Sequence, residues 1–373
     1  MRYLLTNCTI YTGNSVLHNH SVLVNNDLIE AVLPAVAEPG EVPHYDCHGG
    51  ILSPGFIDLQ LYGGGGGLFS VDPSPAMLGR MRAYTLRHGT TSFLPTMPTN
   101  SPDMMRAALA AVREVQPFTP GLLGVHLEGP YINPIKKGAH QEEFIQRATV
   151  ESVKALLAEA DGALRIMTLA PELADPEVVA LLRAGDVVLS AGHSNATHAE
   201  GSAAFRHGGF TAATHLFNAM SPLGSREPGL VGAIYDADMA RASIIADGVH
   251  CAFAAVRISK KVMGERLFLI TDAVDDSTEG AYRFRRQDNY FVDEQGTLGG
   301  SALTMPLAVR NCVEHAGIPL AESLRMASLY PAQVLGLDDE LGQIAPRYVA
   351  DLCLMNQQFE VQATVLKGEL QWM

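Results

Sequence analysis

The chain has 373 residues, 47% apolar and 18% charged, so it can bury a large core, and wholesale disorder is excluded. A net charge of −14 argues against nonspecific nucleic-acid or anionic-membrane binding, yet leaves room for a small anionic substrate in a local cationic pocket. The five cysteines are scattered and lack a CxxC pair, which predicts reduced thiols in a cytoplasmic protein, with no export signal and no membrane span in the chain.

Residues 1–50 read as short strands broken by turns, such as Asn25-Asn26-Asp27, and residues 341–373 read alike. Neither end can bury a core alone, so one small β-sandwich domain assembled from both termini is expected. Between them, residues 51–340 change rhythm. Apolar runs recur at 55–61, 91–96, 122–127, 164–169, 187–191, 211–217, 242–246 and 267–271. Amphipathic segments lie between most of them, at 75–88, 102–115, 150–160, 176–183, 198–207 and 254–263. Eight strand–helix units predict an α/β fold, a (β/α)8 TIM-like barrel. A β-hairpin at 283–298 and two helices, at 302–315 and 320–335, are expected to follow.

Polar residues gather where these runs end. The third run ends in His126-Leu127-Glu128, the fifth reaches His193, the sixth contains His215, the seventh leads to Asp247 and His250, and the eighth to Asp272. In an α/β barrel the strand C-termini converge on one mouth, so five segments deliver carboxylates and imidazoles to one pocket. Two imidazoles and a carboxylate from three strands make a catalytic zinc set with a position open for water, and Glu128, His193 and His215 fit it. The competing reading is that they are ordinary mouth polars satisfied by hydrogen bonds. Asp272 is placed to move protons beside such a centre, or to cap the next segment. Spacing leaves open whether His140, in KKGAH, donates to an oxyanion or decorates a loop. His126 shares a strand face with Glu128 but reads as a supporting or core histidine. Arg226 offers a planar fork for phosphate oxygens, or is merely solvated. The glycines at 299 and 300 allow close backbone approach by a ligand, or simply make a turn.

The segments PGFIDLQLYG, HLEGPYINPIKKGAH, AGHSNAT, THLFNAMSPLGSREPG, IADGVH, LITDA and GGSALTM resemble the N-acetylglucosamine-6-phosphate deacetylases of the amidohydrolase superfamily. The likeness runs from about residue 50 to 340, with the two-ended β domain also as expected. It implies hydrolysis of N-acetylglucosamine 6-phosphate to glucosamine 6-phosphate and acetate, with one divalent metal ion per subunit, zinc. Matched position by position, Glu128, His193 and His215 correspond to metal ligands and Asp272 to the acid/base. His140 corresponds to the residue near the amide carbonyl. Ala139, Asn218, Ala219, Arg226 and His250 correspond to sugar-phosphate contacts, and the backbone of Leu298, Gly299 and Gly300 to pocket lining. In similar enzymes the arginine of REPG crosses a dimer interface, which implies a homodimer, or a dimer of dimers, with Arg226 serving its neighbour. Many amidohydrolases end the first barrel strand in His-x-His, which binds a second metal. Here Gln60 and Tyr62 stand instead, both poor zinc ligands, which favours a single metal. Two other readings remain: a relative acting on another N-acetylated hexosamine phosphate or a cyclic amide, and a non-catalytic sugar-phosphate-binding regulator.

Overall fold

The computed structural model describes residues 1–34 and 42–373. The N-terminal segments pair antiparallel as β1 (Arg2–Tyr11), β2 (Val16–Asn25) and β3 (Leu28–Pro34). The β2–β3 turn places Asn26 at φ +53°, in the left-handed region that asparagine tolerates. β4 (His44–Pro54) lies parallel to β1 and carries the chain into the next layer.

Eight short strands follow: β5 (Phe56–Leu61), β6 (Thr90–Pro98), β7 (Val125–Glu128), β8 (Leu164–Leu169), β9 (Val188–Ala191), β10 (Ala212–Ala213), β11 (Arg241–Ile244) and β12 (Leu267–Leu269). They form a parallel sheet in sequence order. Its ends meet where Asp272 N–H donates to Gln60 O at 3.0 Å and Tyr62 N–H to Ala273 O at 2.9 Å. The expected (β/α)8 barrel is thus present. β5 and β6 are buried at every position, which is why they read as unbroken apolar runs.

Helices cover the outside: α1 (Pro75–Arg87), α2 (Pro102–Val115), α3 (Val150–Ala160), α4 (Pro176–Ala184), α5 (His198–Arg206), α6 (Gly229–Asp236), α7 (Phe253–Met263), α8 (Met305–Glu314), α9 (Leu320–Ala327) and α10 (Leu329–Val334). Their starts are written locally. Ser74 and Ser101 accept backbone N–H groups, each followed by a proline whose missing N–H costs nothing in a first turn. Thr149 and Thr197 head capping boxes with Ser152 and Glu200. The single helix expected at 320–335 is two, because Ser328 takes a non-helical backbone (φ −135°, ψ −71°). α6 was not anticipated at all. Its first six residues are buried, so it lacks the polar stripe that marks a surface helix.

The expected hairpin is a three-stranded antiparallel sheet, β13 (Arg285–Gln287), β14 (Tyr290–Val292) and β15 (Leu298–Ser301). β15 docks on the end of the eighth barrel unit, with Ser301 N–H donating to Asp272 O at 2.9 Å and Val274 N–H to Ser301 O at 3.1 Å. The chain then returns to the terminal layer as β16 (Leu352–Met355), β17 (Val361–Leu366) and β18 (Glu369–Trp372). The terminal strands run β18-β17-β16-β4-β1-β2-β3, and Leu28 on β3 bridges to Val349 just before β16, so the layers fold over a shared core. Tyr3, Leu5, Ile10, Val22, Leu352 and Val365 fill it, which is the β-sandwich expected of both termini. Among the described residues no helix is long and apolar enough to cross a membrane. All five cysteines are buried and unpaired.

Candidate active site

The mouth of the barrel holds a cavity of about 210 Å³. It is lined by Glu128, Ala139, His140, His193, His215, Asn218, Ala219, His250, Asp272, Leu298, Gly299 and Gly300. Of the residues matched to the family's site, Arg226 alone lies elsewhere, on an exposed loop. Strand ends explain the convergence. Glu128 ends β7, His193 lies two residues past β9, His215 two past β10, and Asp272 three past β12. His193, His215 and Asp272 sit at φ +46°, +36° and +55°. These left-handed conformations turn side chains inward where extended strands would alternate away.

Glu128 is the hub. Its Oε1 lies 2.9 Å from His215 Nε2, 3.2 Å from His193 Nε2 and 3.0 Å from Gln60 Nε2. Its Oε2 accepts from Tyr62 OH and lies 3.0 Å from His140 Nε2. Burial alone would raise this carboxyl, but the adjoining His193 and His140 rings hold it well below the usual carboxylate range. His193 Nε2 and His215 Nε2 are 3.2 Å apart. Two imidazole nitrogens hold that spacing only around a shared proton or a cation. The donor set therefore fits a divalent metal.

Distances alone allow two ligand sets, because Glu128 and His193 also form a compact group with His140. Tautomers separate them. Thr99 N–H donates to His140 Nδ1 at 3.2 Å, which places the proton of the neutral ring on Nε2, where it faces Glu128 as a donor. Burial, reinforced by His193, lowers the His140 pKa to about 4, so the ring is neutral. His193 Nδ1–H donates to Lys136 O at 2.9 Å, leaving its Nε2 lone pair free, the arrangement typical of a metal-binding histidine. His215 Nδ1 has no partner, so either of its nitrogens can carry the proton. Glu128, His193 and His215 could thus hold a metal, with His140 beside them as a donor.

Asp272 is buried, and its Oδ1 has no hydrogen-bond partner among the described residues. Burial raises its pKa to about 6, against the opposing pull of His215. A carboxylate so placed is a proton acceptor waiting for a water or substrate. His126 bonds Leu59 O and the Thr168 hydroxyl, at 3.0 and 2.7 Å, in a polar layer below the cavity, and it does not reach the centre. Thr168 and Ser190 each lie 2.6 Å from the Thr214 hydroxyl in the same layer.

Sequence reasoning missed several contributors. Gln60 and Tyr62 were set aside as non-ligands, yet both bond Glu128; the strand period already put them on one face. Val274, Tyr282 and Phe284 form an apolar wall that no motif announced.

The profile of the Amidohydrolase family matches residues 51–370, and that of the NagA composite domain matches residues 2–52. The chain is 39% identical to the N-acetylglucosamine-6-phosphate deacetylase of Haemophilus influenzae, over 99% of each chain. It is 35% identical to the N-acetylgalactosamine-6-phosphate deacetylase of a Shewanella species, over 88% of this chain and 85% of that one. The crystal structure of the Pasteurella multocida N-acetylglucosamine-6-phosphate deacetylase superposes with a TM-score of 0.96, at 38% identity and 100% of both chains. With this mouth geometry on the same scaffold, the chain belongs to the amidohydrolase family, in its N-acetylglucosamine-6-phosphate deacetylase branch.

Proposed function

We propose that the chain hydrolyses N-acetylglucosamine 6-phosphate to glucosamine 6-phosphate and acetate, as a cytoplasmic enzyme of amino-sugar recycling. The observation that carries this reading is the convergence of Glu128 Oε1, His193 Nε2 and His215 Nε2 on one point, in the same cavity as the unpartnered Asp272 oxygen. Those three residues would hold one divalent cation, zinc in this reading, which would supply Lewis acidity to the attacking water. Asp272 accepts the proton of the attacking water and passes it to the amine nitrogen as the C–N bond breaks. The His140 Nε2–H donates to the carbonyl oxygen as it gains charge, a contact typically worth ~3–4 kcal/mol. Ala139, Asn218, Ala219, His250 and the backbone of Leu298, Gly299 and Gly300 hold the sugar phosphate, so that remote binding energy orients the amide.

Among the described residues lining the cavity there is no lysine or arginine. A phosphate dianion therefore calls for a cation from outside, and Arg226, exposed and without an ion pair among the described residues, supplies it to a second copy in a homodimer. The working domain division is residues 1–50 with 341–373 against residues 51–340, the chain passing between them within β4.

The test is an acetate-release assay on the 6-phosphates of N-acetylglucosamine and N-acetylgalactosamine and on unphosphorylated N-acetylglucosamine, with and without chelator. Release that is fastest from N-acetylglucosamine 6-phosphate and abolished by chelation supports the reading. Preference for the galacto epimer would reassign the substrate. Turnover that survives complete metal removal would end the metal-dependent account.

A further inference from the structure

The seventh barrel unit carries a second buried acid that the mechanism does not use. After β11 the chain turns through Ile245-Ala246-Asp247-Gly248-Val249-His250. Gly248 sits at φ +78°, and a Cβ there would come within 2.7 Å of the Phe253 ring, so the turn depends on glycine. Asp247 organises it. Its Oδ1 accepts the N–H groups of Val249 and His250 at 2.9 and 2.8 Å. Its Oδ2 lies 2.6 Å from His250 Nδ1, with 0% of its side chain exposed against 6% for His250. With both oxygens engaged, this carboxylate has no freedom to turn elsewhere.

We infer that Asp247 is a positioning residue for substrate recognition, holding the His250 ring by its Nδ1–H so that Nε2 faces the cavity and meets the phosphorylated sugar. The inference rests on the reading of the cavity as a sugar-phosphate site. Two facts make the arrangement functional rather than merely structural. The Oδ1 bonds alone would hold the turn, so Oδ2 is free to serve the ring. The cavity also lacks a lysine or arginine among its described lining residues, so outside the Glu128 cluster His250 is the one side chain there that can carry positive charge. A buried carboxylate against Nδ1 sets which nitrogen faces the ligand.

Replacement by asparagine separates the two jobs. In D247N the amide oxygen can still cap Val249 and His250, but an NH2 then meets Nδ1, driving the ring to the neutral Nε2–H form. The test combines kinetics of the metal-loaded enzyme with ¹⁵N NMR of the His250 ring, assigned by comparison with H250Q. The wild-type ring should carry a proton on Nδ1, and the D247N ring should not. KM for N-acetylglucosamine 6-phosphate should rise by about tenfold more than kcat falls, the scale of a lost charge-assisted hydrogen bond. The loss in kcat/KM should be smaller for unphosphorylated N-acetylglucosamine, and D247N with H250Q should be no worse than H250Q alone. A wild-type ring with a bare Nδ1 would overturn the inference, and this needs no variant to fold. So would equal losses on both substrates, or additive losses in the double variant. If the wild-type enzyme releases no acetate from the phosphorylated sugar, the underlying functional reading has failed instead.

Discussion

At His193, His215 and Asp272 the backbone takes the left-handed form, at φ +46°, +36° and +55°. Each such residue costs about 1–3 kcal/mol and persists only where its surroundings insist on it. That the three cluster at one mouth, beside a carboxylate oxygen with no partner, is the physical mark of a site built for something not supplied by the protein itself. Asp272→Asn keeps the shape and removes the proposed base. Turnover should fall by about 10²–10⁴-fold while metal content, measured on the purified protein, stays at wild type. A buried acid far from the chemistry gives a separate check. Asp351 accepts from Lys367 N–H at 2.7 Å, yet burial, the larger influence, raises its pKa from 3.8 to about 6. Its folded pKa lies above its unfolded one, so its contribution to stability is full below about pH 4 and is lost as pH rises through 6. Relative to Asp351→Asn, which stays neutral, the wild type should lose up to about 3 kcal/mol across that window in urea melts. A difference that does not change with pH would refute the assignment. That Glu128, His193, His215 and Asp272 would meet at one mouth was legible because strand ends share a register. The contacts of Gln60 and Tyr62 with Glu128 were not, because a hydrogen bond across the barrel depends on closure between its first and last strands.

Local signals decided how well the elements could be read. Where a serine or threonine cap precedes a proline or a capping-box partner, as at Ser101 and Thr197, the helix start was evident to the residue. Where burial is all-round, as in α6, periodicity carries no message, and a helix of apolar residues and glycine passes for loop or strand. β15 matters most for function. Gly300 sits at φ +152°, and a Cβ there would lie 2.6 Å from Val274 Cγ1 and 2.9 Å from Asp272 O. The strand therefore presses on the backbone of the proposed base. Gly300→Ala should lower stability by about 1–3 kcal/mol, as overpacking does, and lower kcat by displacing Asp272. Stability lost with kcat intact would show that β15 does not position Asp272.

The whole molecule sets one barrel of parallel strands beside a β layer drawn from both termini, an arrangement legible from where alternating and continuous apolar patterns change over. Assembly was not legible from pattern, since nothing in the periodicity of a loop reveals what it meets on another copy. If Arg226 serves a neighbouring cavity, Arg226→Ala and Asp272→Asn are each impaired alone. Mixed under conditions that allow subunit exchange, they should regain activity, because one hybrid site is intact. Absence of any recovery despite exchange would place Arg226 in its own subunit's site or in none. The central claim concerns three side chains and one cation. Anomalous diffraction from zinc-loaded crystals tests it most directly. The account predicts a single peak per subunit at about 2.0–2.2 Å from Glu128 Oε1, His193 Nε2 and His215 Nε2, with His140 outside bonding distance. A peak ligated by His140 in place of His215, or a second peak beside Gln60 and Tyr62, would contradict it.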